Sequence, residues 1–149
     1  MKAALTELVK RRRLKREPTS AEEIRGYLLH SAQTLQDANL PGLSTAGRFE
    51  FAYTAAHAVA LAALRANDLR PDAGPGHRAI VFNTLPDTIG VSEEVARSLN
   101  RYHTKRNKSE YGDWAEASGA DAEDLYVLAY NLRVSLLNWL SENRPALLA

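Results

Sequence analysis

Apolar residues recur every three to four positions along most of this chain and nowhere alternate strictly with polar ones. Ile24, Tyr27, Leu28, Ser31, Leu35 and Ala38 share one helical face. Pro18-Thr19-Ser20 supplies the start, with Thr19 or Ser20 as cap and Glu22 and Glu23 at the positive end of the helix dipole. Leu40-Pro41-Gly42-Leu43 stops that helix, and a second begins near Ser44 or Thr45. Its buried stripe is Phe49, Ala52, Tyr53, Ala56, Ala60, Ala63 and Leu64, and its alanines permit close helix approach. Leu69 to His77 reads as a loop by composition. A third helical region runs from about His77 to Lys108, interrupted near Pro86 and Gly90 and restarting at Ser92. After a turn at Ser118-Gly119-Ala120, Asp121 is placed to cap the last helix. There Leu125, Leu128, Ala129, Leu132, Leu136, Trp139 and Leu140 line one face until Arg144-Pro145.

This pattern predicts an all-α protein, an antiparallel four- or five-helix up-down bundle without a sheet. The expected core is Ile24, Leu28, Leu35, Tyr53, Ala56, Ala60, Val95, Leu99, Leu125, Leu128, Leu132 and Leu136. A chain of 149 residues favours one domain and can bury such a core without disulfides or metal.

Charge changes the picture at the N-terminus. Residues 1–17 hold seven basic and two acidic side chains, a balance of +5, while the remainder holds 12 basic and 16 acidic, a balance of −4. The division expected is a basic arm or short helix over residues 1–17 and a mildly acidic bundle over residues 18–149. Arg11, Arg12 and Arg13 are then electrostatic contacts for nucleic acid or an acidic partner, or simply a solvated tail. No Cys is present, no apolar run reaches membrane-spanning length and no secretory leader pattern is visible, so the expectation is a cytoplasmic protein with no membrane partner.

The chemistry-bearing stretch is Arg101 to Asp113. On a helical wheel Val91, Val95, Leu99, Tyr102 and Arg106 fall on one line, with Arg97, Arg101, Lys105 and Lys108 opposite. Arg106 therefore continues an apolar stripe, where a guanidinium needs a carboxylate, a helix C-terminus or a bound phosphate. Tyr111 diverges from Arg106 by about 140° on an unbroken helix. Gly112 and Asp113 signal a helix end at which a frayed turn brings the two together. Arg beside a phenol or imidazole suits RNA phosphodiester cleavage, Arg holding the phosphate and the ring moving a proton.

With these residues in view, the chain resembles the HEPN family of all-helical nucleotide-binding domains over roughly residues 20–142. The resemblance is carried by Leu35-Gln36-Asp37-Ala38, by Arg48-Phe49-Glu50-Phe51-Ala52-Tyr53, by the Leu69-Arg70-Pro71 to Gly76-His77 loop and by Arg106-Asn107. Family ribonucleases carry Arg, a polar residue, three further residues and then His. Arg106 and Asn107 match the first two positions, and Tyr111 stands where the His belongs. The resemblance implies catalytic roles for Arg106, Asn107 and Tyr111. Beside them, Arg101, His103, Lys105 and Lys108 are candidate nucleic-acid contacts; the basic stripe of Arg101, Lys105 and Lys108 is otherwise a solvated face. The resemblance also implies a homodimer with a shared cleft, and a protein of toxin–antitoxin type paired with an antitoxin-like partner, or a non-catalytic relative. Tyrosine titrates near pH 10 and is a poor base at neutrality. His103, four residues before Asn107, is the imidazole placed to substitute.

Other chemistry finds little support. His30, His57, His77 and His103 lack metal-ligand spacing, so no metal and no cofactor is expected. Glycine-rich phosphate loops and nucleophile elbows are absent from the sequence. Arg48 and Tyr53 read as braces of the bundle, and His77 as a helix-start residue. The functional expectation is a HEPN-like RNA- or nucleotide-binding protein, an endoribonuclease or a degenerate relative of one. The alternative is a non-catalytic helical interaction module.

Overall fold

A computed structural model describes residues 1–72, 77–110 and 117–149. Along the chain run α1 (Ala3–Lys10), β1 (Leu14–Arg16), α2 (Ala21–Asp37), α3 (Thr45–Ala66) and β2 (Leu69–Pro71). There follow α4 (His77–Asn83), α5 (Leu85–Thr88), α6 (Glu93–Glu110), α7 (Gly119–Asn143) and a 3₁₀ turn, Pro145–Leu148. The protein is predominantly α-helical, as its periodicity requires.

Helix boundaries follow local chemistry. Ser20 caps α2 by accepting from the Glu23 amide, and Ser44 caps α3 by accepting from Gly47. Each such cap contributes about 1 kcal/mol. At α7 the cap is Ser118, not Asp121. Ser118 accepts from the Asp121 amide while the Asp121 carboxylate accepts from the Ser118 amide, a reciprocal capping box. Gly42 and Gly90 take φ of 78° and 75°, so both turns use a left-handed backbone that a side chain would strain.

Consecutive long helices alternate direction. Glu23 meets Arg65 across α2 and α3, Arg106 meets Glu50 across α6 and α3, and Tyr102 meets Asp124 across α6 and α7. The two most closely associated helices, α3 and α7, run parallel: Arg48 reaches Glu123 near their starts, and Arg144 reaches the Ala66 carbonyl at their ends. Ala52, Ala55, Ala56, Ala60, Ala62 and Ala63 are fully buried, and these small side chains let α3 sit at the centre with α2 and α7 against it. Ile24, Leu35, Tyr53, Leu99, Leu125, Leu132 and Leu136 are buried as expected. Leu28, Val95 and Leu128 are half-buried at the core edge, and the adjacent Ala96 and Ala129 take the deeper positions.

The expectation of no sheet is corrected. β1 and β2 pair antiparallel, Leu14 opposite Pro71, Lys15 opposite Arg70 and Arg16 opposite Leu69. Three residues are too few for alternation to show in sequence. The pairing is driven by burial of Leu14 and Leu69 at its inner face. Residues 1–17 thus carry a short helix and a strand packed on their own chain, with Leu5 and Leu14 in the core and all seven basic side chains at the surface. Arg12 adopts φ of 58°, a left-handed turn that reverses the chain from α1 into β1.

Candidate functional site

The site is built where α6 crosses the first half of α3. Phe49 and Tyr102 meet edge to face, with ring centroids 6.0 Å apart. Phe82 from α4 packs edge-on against Tyr53 and His103. On this apolar floor stands a polar cluster. The Tyr53 hydroxyl lies 2.8 Å from His103 Nδ1, and His103 Nε2 lies 3.3 Å from the Asn107 amide nitrogen. With that amide orientation, Nε2 accepts from Asn107 and Nδ1–H donates to the Tyr53 oxygen. Arg106 sets its guanidinium carbon 5.0 Å from the Tyr53 ring centroid, within cation–π range. Its Nε and Nη2 lie 3.3 and 3.2 Å from Glu50 Oε1. His57, one turn after Tyr53, lies with its ring nearly parallel to it, 22° apart, at a centroid distance of 6.1 Å.

Arg106 thus finds a carboxylate, one of the partners its place on an apolar stripe demands. Its side chain is only 13% exposed, whereas that of Glu50 is 51% exposed. The anionic half of the pair is therefore the half that water, or another anion, can displace. Beside it opens a cavity of about 270 Å³ lined by Tyr27, His30, Tyr53, His57, Leu61 and Arg106.

The structure distributes the expected site residues unevenly. Arg106, Asn107 and His103 come together, joined by Tyr53. Tyr111 lies outside the described residues, as does the side chain of His77. Lys105 is bonded to Asp121 at 2.7 Å, where it supports the α7 capping box. That bond and the Ser118 amide hold the Asp121 carboxyl below the ordinary aspartate range. Lys105 therefore acts as an interhelical tie. Arg101 and Lys108 are exposed, and Arg101 lies over the Tyr102 ring at 5.2 Å. Arg11, Arg12 and Arg13 are exposed at the other end of the molecule, with Arg11 paired to Glu7 at 3.0 Å. Arg48 braces α3 to α7 through Glu123 and lies over the Tyr126 ring, as expected of it.

Tyr53 has a second role beyond bracing, and Glu50, His57, His30 and Tyr27 join the site unannounced. The signal available in sequence was the polar pair Tyr53 and His57, one turn apart on an otherwise alanine-rich buried stripe. Among the described residues no group of three or more His, Asp or Glu side chains is arranged to hold a metal ion, and no helix is long and apolar enough to cross a membrane. The fold and site define a predominantly helical bundle carrying an arginine–imidazole–phenol cluster beside an open cavity. No family model, curated protein or solved structure matches the chain.

Proposed function

We propose that this chain is a HEPN-like RNA-binding protein whose α3–α6 cluster holds one backbone phosphate and supports slow cleavage of the strand. The observation that carries the reading is the joining of Arg106, Tyr53, His103 and Asn107 in one contiguous set beside an open cavity. Arg106 is pre-oriented by the Tyr53 ring, and a phosphate arriving from solvent replaces Glu50 Oε1 and accepts from Arg106 through two oxygens. His103 supplies the imidazole for proton transfer. In cleavage the RNA 2′-oxygen attacks the adjacent phosphorus, and its proton passes to His103 Nε2 once that nitrogen has exchanged Asn107 for the hydroxyl. The bond to the 5′-oxygen breaks, and that oxygen takes a proton from water. The products are a 2′,3′-cyclic phosphate and a free 5′-hydroxyl. Tyr53 holds the imidazole in place through Nδ1, and Arg106 stabilises charge on the phosphoryl oxygens.

The experiment is a binding and cleavage series on a labelled RNA with wild type, Arg106→Ala, His103→Gln and Tyr111→His. Arg106→Ala abolishes binding at the cluster, and His103→Gln leaves binding but removes cleavage. Tyr111→His raises cleavage by restoring an imidazole at the family's motif position. Identical handling of RNA by all four proteins would end this reading. A second reading, a helical interaction module that self-associates or takes an antitoxin-like partner, is favoured by one observation. Val127, Tyr130 and Val134 form an exposed apolar stripe on α7. A wild-type dimer mass in light scattering that reverts to monomer in Tyr130→Asp supports it, and a monomer mass at micromolar concentration removes it.

A further inference from the structure

The cavity beside Arg106 is one end of a longer groove. On α2, Glu23, Tyr27 and His30 line a second cavity of about 320 Å³, and Tyr27 and His30 also line the first. On α3, Tyr53, His57 and Leu61 follow at four-residue spacing and lead to Arg65. The groove therefore runs between α2 and α3 from the Arg106 cluster to the β1–β2 ribbon. The twelve helical steps from Tyr53 to Arg65 span about 18 Å at 1.5 Å per step.

The far end is cationic. Lys15 lies directly opposite Arg70 in the ribbon register, so both side chains leave the same face. Arg13, Glu17 and, opposite Arg13, Asp72 share that face by alternation, and Arg70 bonds Glu17 and Glu23. Those two carboxylates are already taken up by Arg65 and Arg70. Arg13, Lys15, Arg65 and Arg70 thus outnumber Glu17, Glu23 and Asp72 at the groove mouth by one charge, and Arg13 and Lys15 are exposed. Tyr27 lies within electrostatic reach of Glu23, Arg65 and Arg70, which ties the ring to this end of the groove.

We propose that this groove carries a single-stranded RNA segment away from the Arg106 cluster to the basic face of the β1–β2 ribbon. The inference rests on the RNA reading above and extends it to the flanking nucleotides. Tyr27 and His30 offer flat rings on which bases stack, while Arg13 and Lys15 take a phosphate at the exit. A strand rising about 3.4 Å per nucleotide covers 18 Å in about five nucleotides. A duplex cannot offer its base faces to those rings, so the groove selects single strands.

The test uses the full chain and fluorescein-labelled oligouridylates of two and twelve nucleotides, read by anisotropy over a salt series. Three variants are compared with wild type: Arg13→Glu with Lys15→Glu, His30→Ala with Tyr27→Ala, and Arg106→Ala. Circular dichroism confirms folding, and His30→Ala alone replaces the double variant if Tyr27→Ala unfolds the chain. Both groove variants are expected to weaken the twelve-mer at least tenfold, and the charge reversal to change the dinucleotide less than twofold. Reversing the two charges is expected to lower the twelve-mer salt slope by about 0.7, the weight of one single-strand phosphate. Twelve-mer binding within twofold of wild type in the groove variants overturns the groove, even if Arg106→Ala weakens both lengths and so keeps the cluster. Groove variants that weaken the twelve-mer while Arg106→Ala changes neither length support the groove and remove the cluster. Equal competition by a duplex of the same length, or by polyglutamate, overturns single-strand selection.

Discussion

Two arginines at opposite ends of α3 meet their charge requirements differently. Arg65, with a side chain 3% exposed, bonds Glu23 and Glu17 and donates to the carbonyls of Glu17, Pro18 and Leu69. Those acceptors come from the segment before α2, the first turn of α2 and β2, so the guanidinium ties the ribbon and the start of α2 to the end of α3. Arg106 lies over a tyrosine face and pairs with a carboxylate half in water. A charge bonded mainly to backbone carbonyls is fixed by the fold and has nothing to exchange. A charge paired with an exposed side chain can trade it for a ligand at little structural cost.

The comparison can be broken first at Arg65. Arg65→Met leaves the Glu17 and Glu23 carboxylates and three carbonyls short of a donor, and removing one partner of a buried pair costs about 3–5 kcal/mol. At about 2–4 °C per kcal/mol for a chain of this size, the melting temperature should fall by roughly 6–20 °C. Thermal unfolding followed by circular dichroism measures it. Arg106→Ala should lower the melting temperature by only a few degrees yet abolish binding of the labelled RNA. A thermal loss as large as that of Arg65→Met would make Arg106 a brace.

Glu50→Gln sharpens the contrast with a smaller effect of opposite sign. It removes the anion that competes for Arg106, so RNA affinity should rise about three- to tenfold, the weight of an ion pair worth roughly 1 kcal/mol. An unchanged or weaker affinity in a titration at fixed salt would count against phosphate exchange at this position. The smallest effect concerns pH. The Asp121 carboxyl is held below its ordinary range by Lys105 and the Ser118 amide. A depressed folded-state value means stability that is present above the unfolded value, about 3.9, and lost as pH falls through the lower folded one. Asp121→Asn should therefore cost most at neutrality and little in acid, flattening the acid limb of stability below about pH 4. Denaturant midpoints across that range test it.

Much of the bundle was legible because its determinants are local. Ser20 and Ser44 cap, Gly42 and Gly90 turn, and the stripes on α2, α3 and α7 bury the residues their periodicity selects. Asp121 was misjudged by one role, since spacing alone does not say which member of a reciprocal pair is the cap. Leu28, Val95 and Leu128 were placed too deep. A wheel gives direction, whereas depth depends on which neighbour covers the face, and here Ala96 and Ala129 turn inward further.

The sequence by itself determined the helical class, the boundaries of the long helices and the position of Arg106 on an apolar stripe, because dihedral preference and periodicity act over a few residues. Only the tertiary structure decided that Tyr53 lies beneath Arg106 and against His103, since α3 and α6 meet through packing that no local pattern encodes. It also decided that the basic first residues join the fold. Leu14 and Leu69 are isolated apolar residues in sequence, and burial together makes a ribbon of them. Contacts between distant segments depend on how whole faces fit, and that fit is fixed only when the helices are packed.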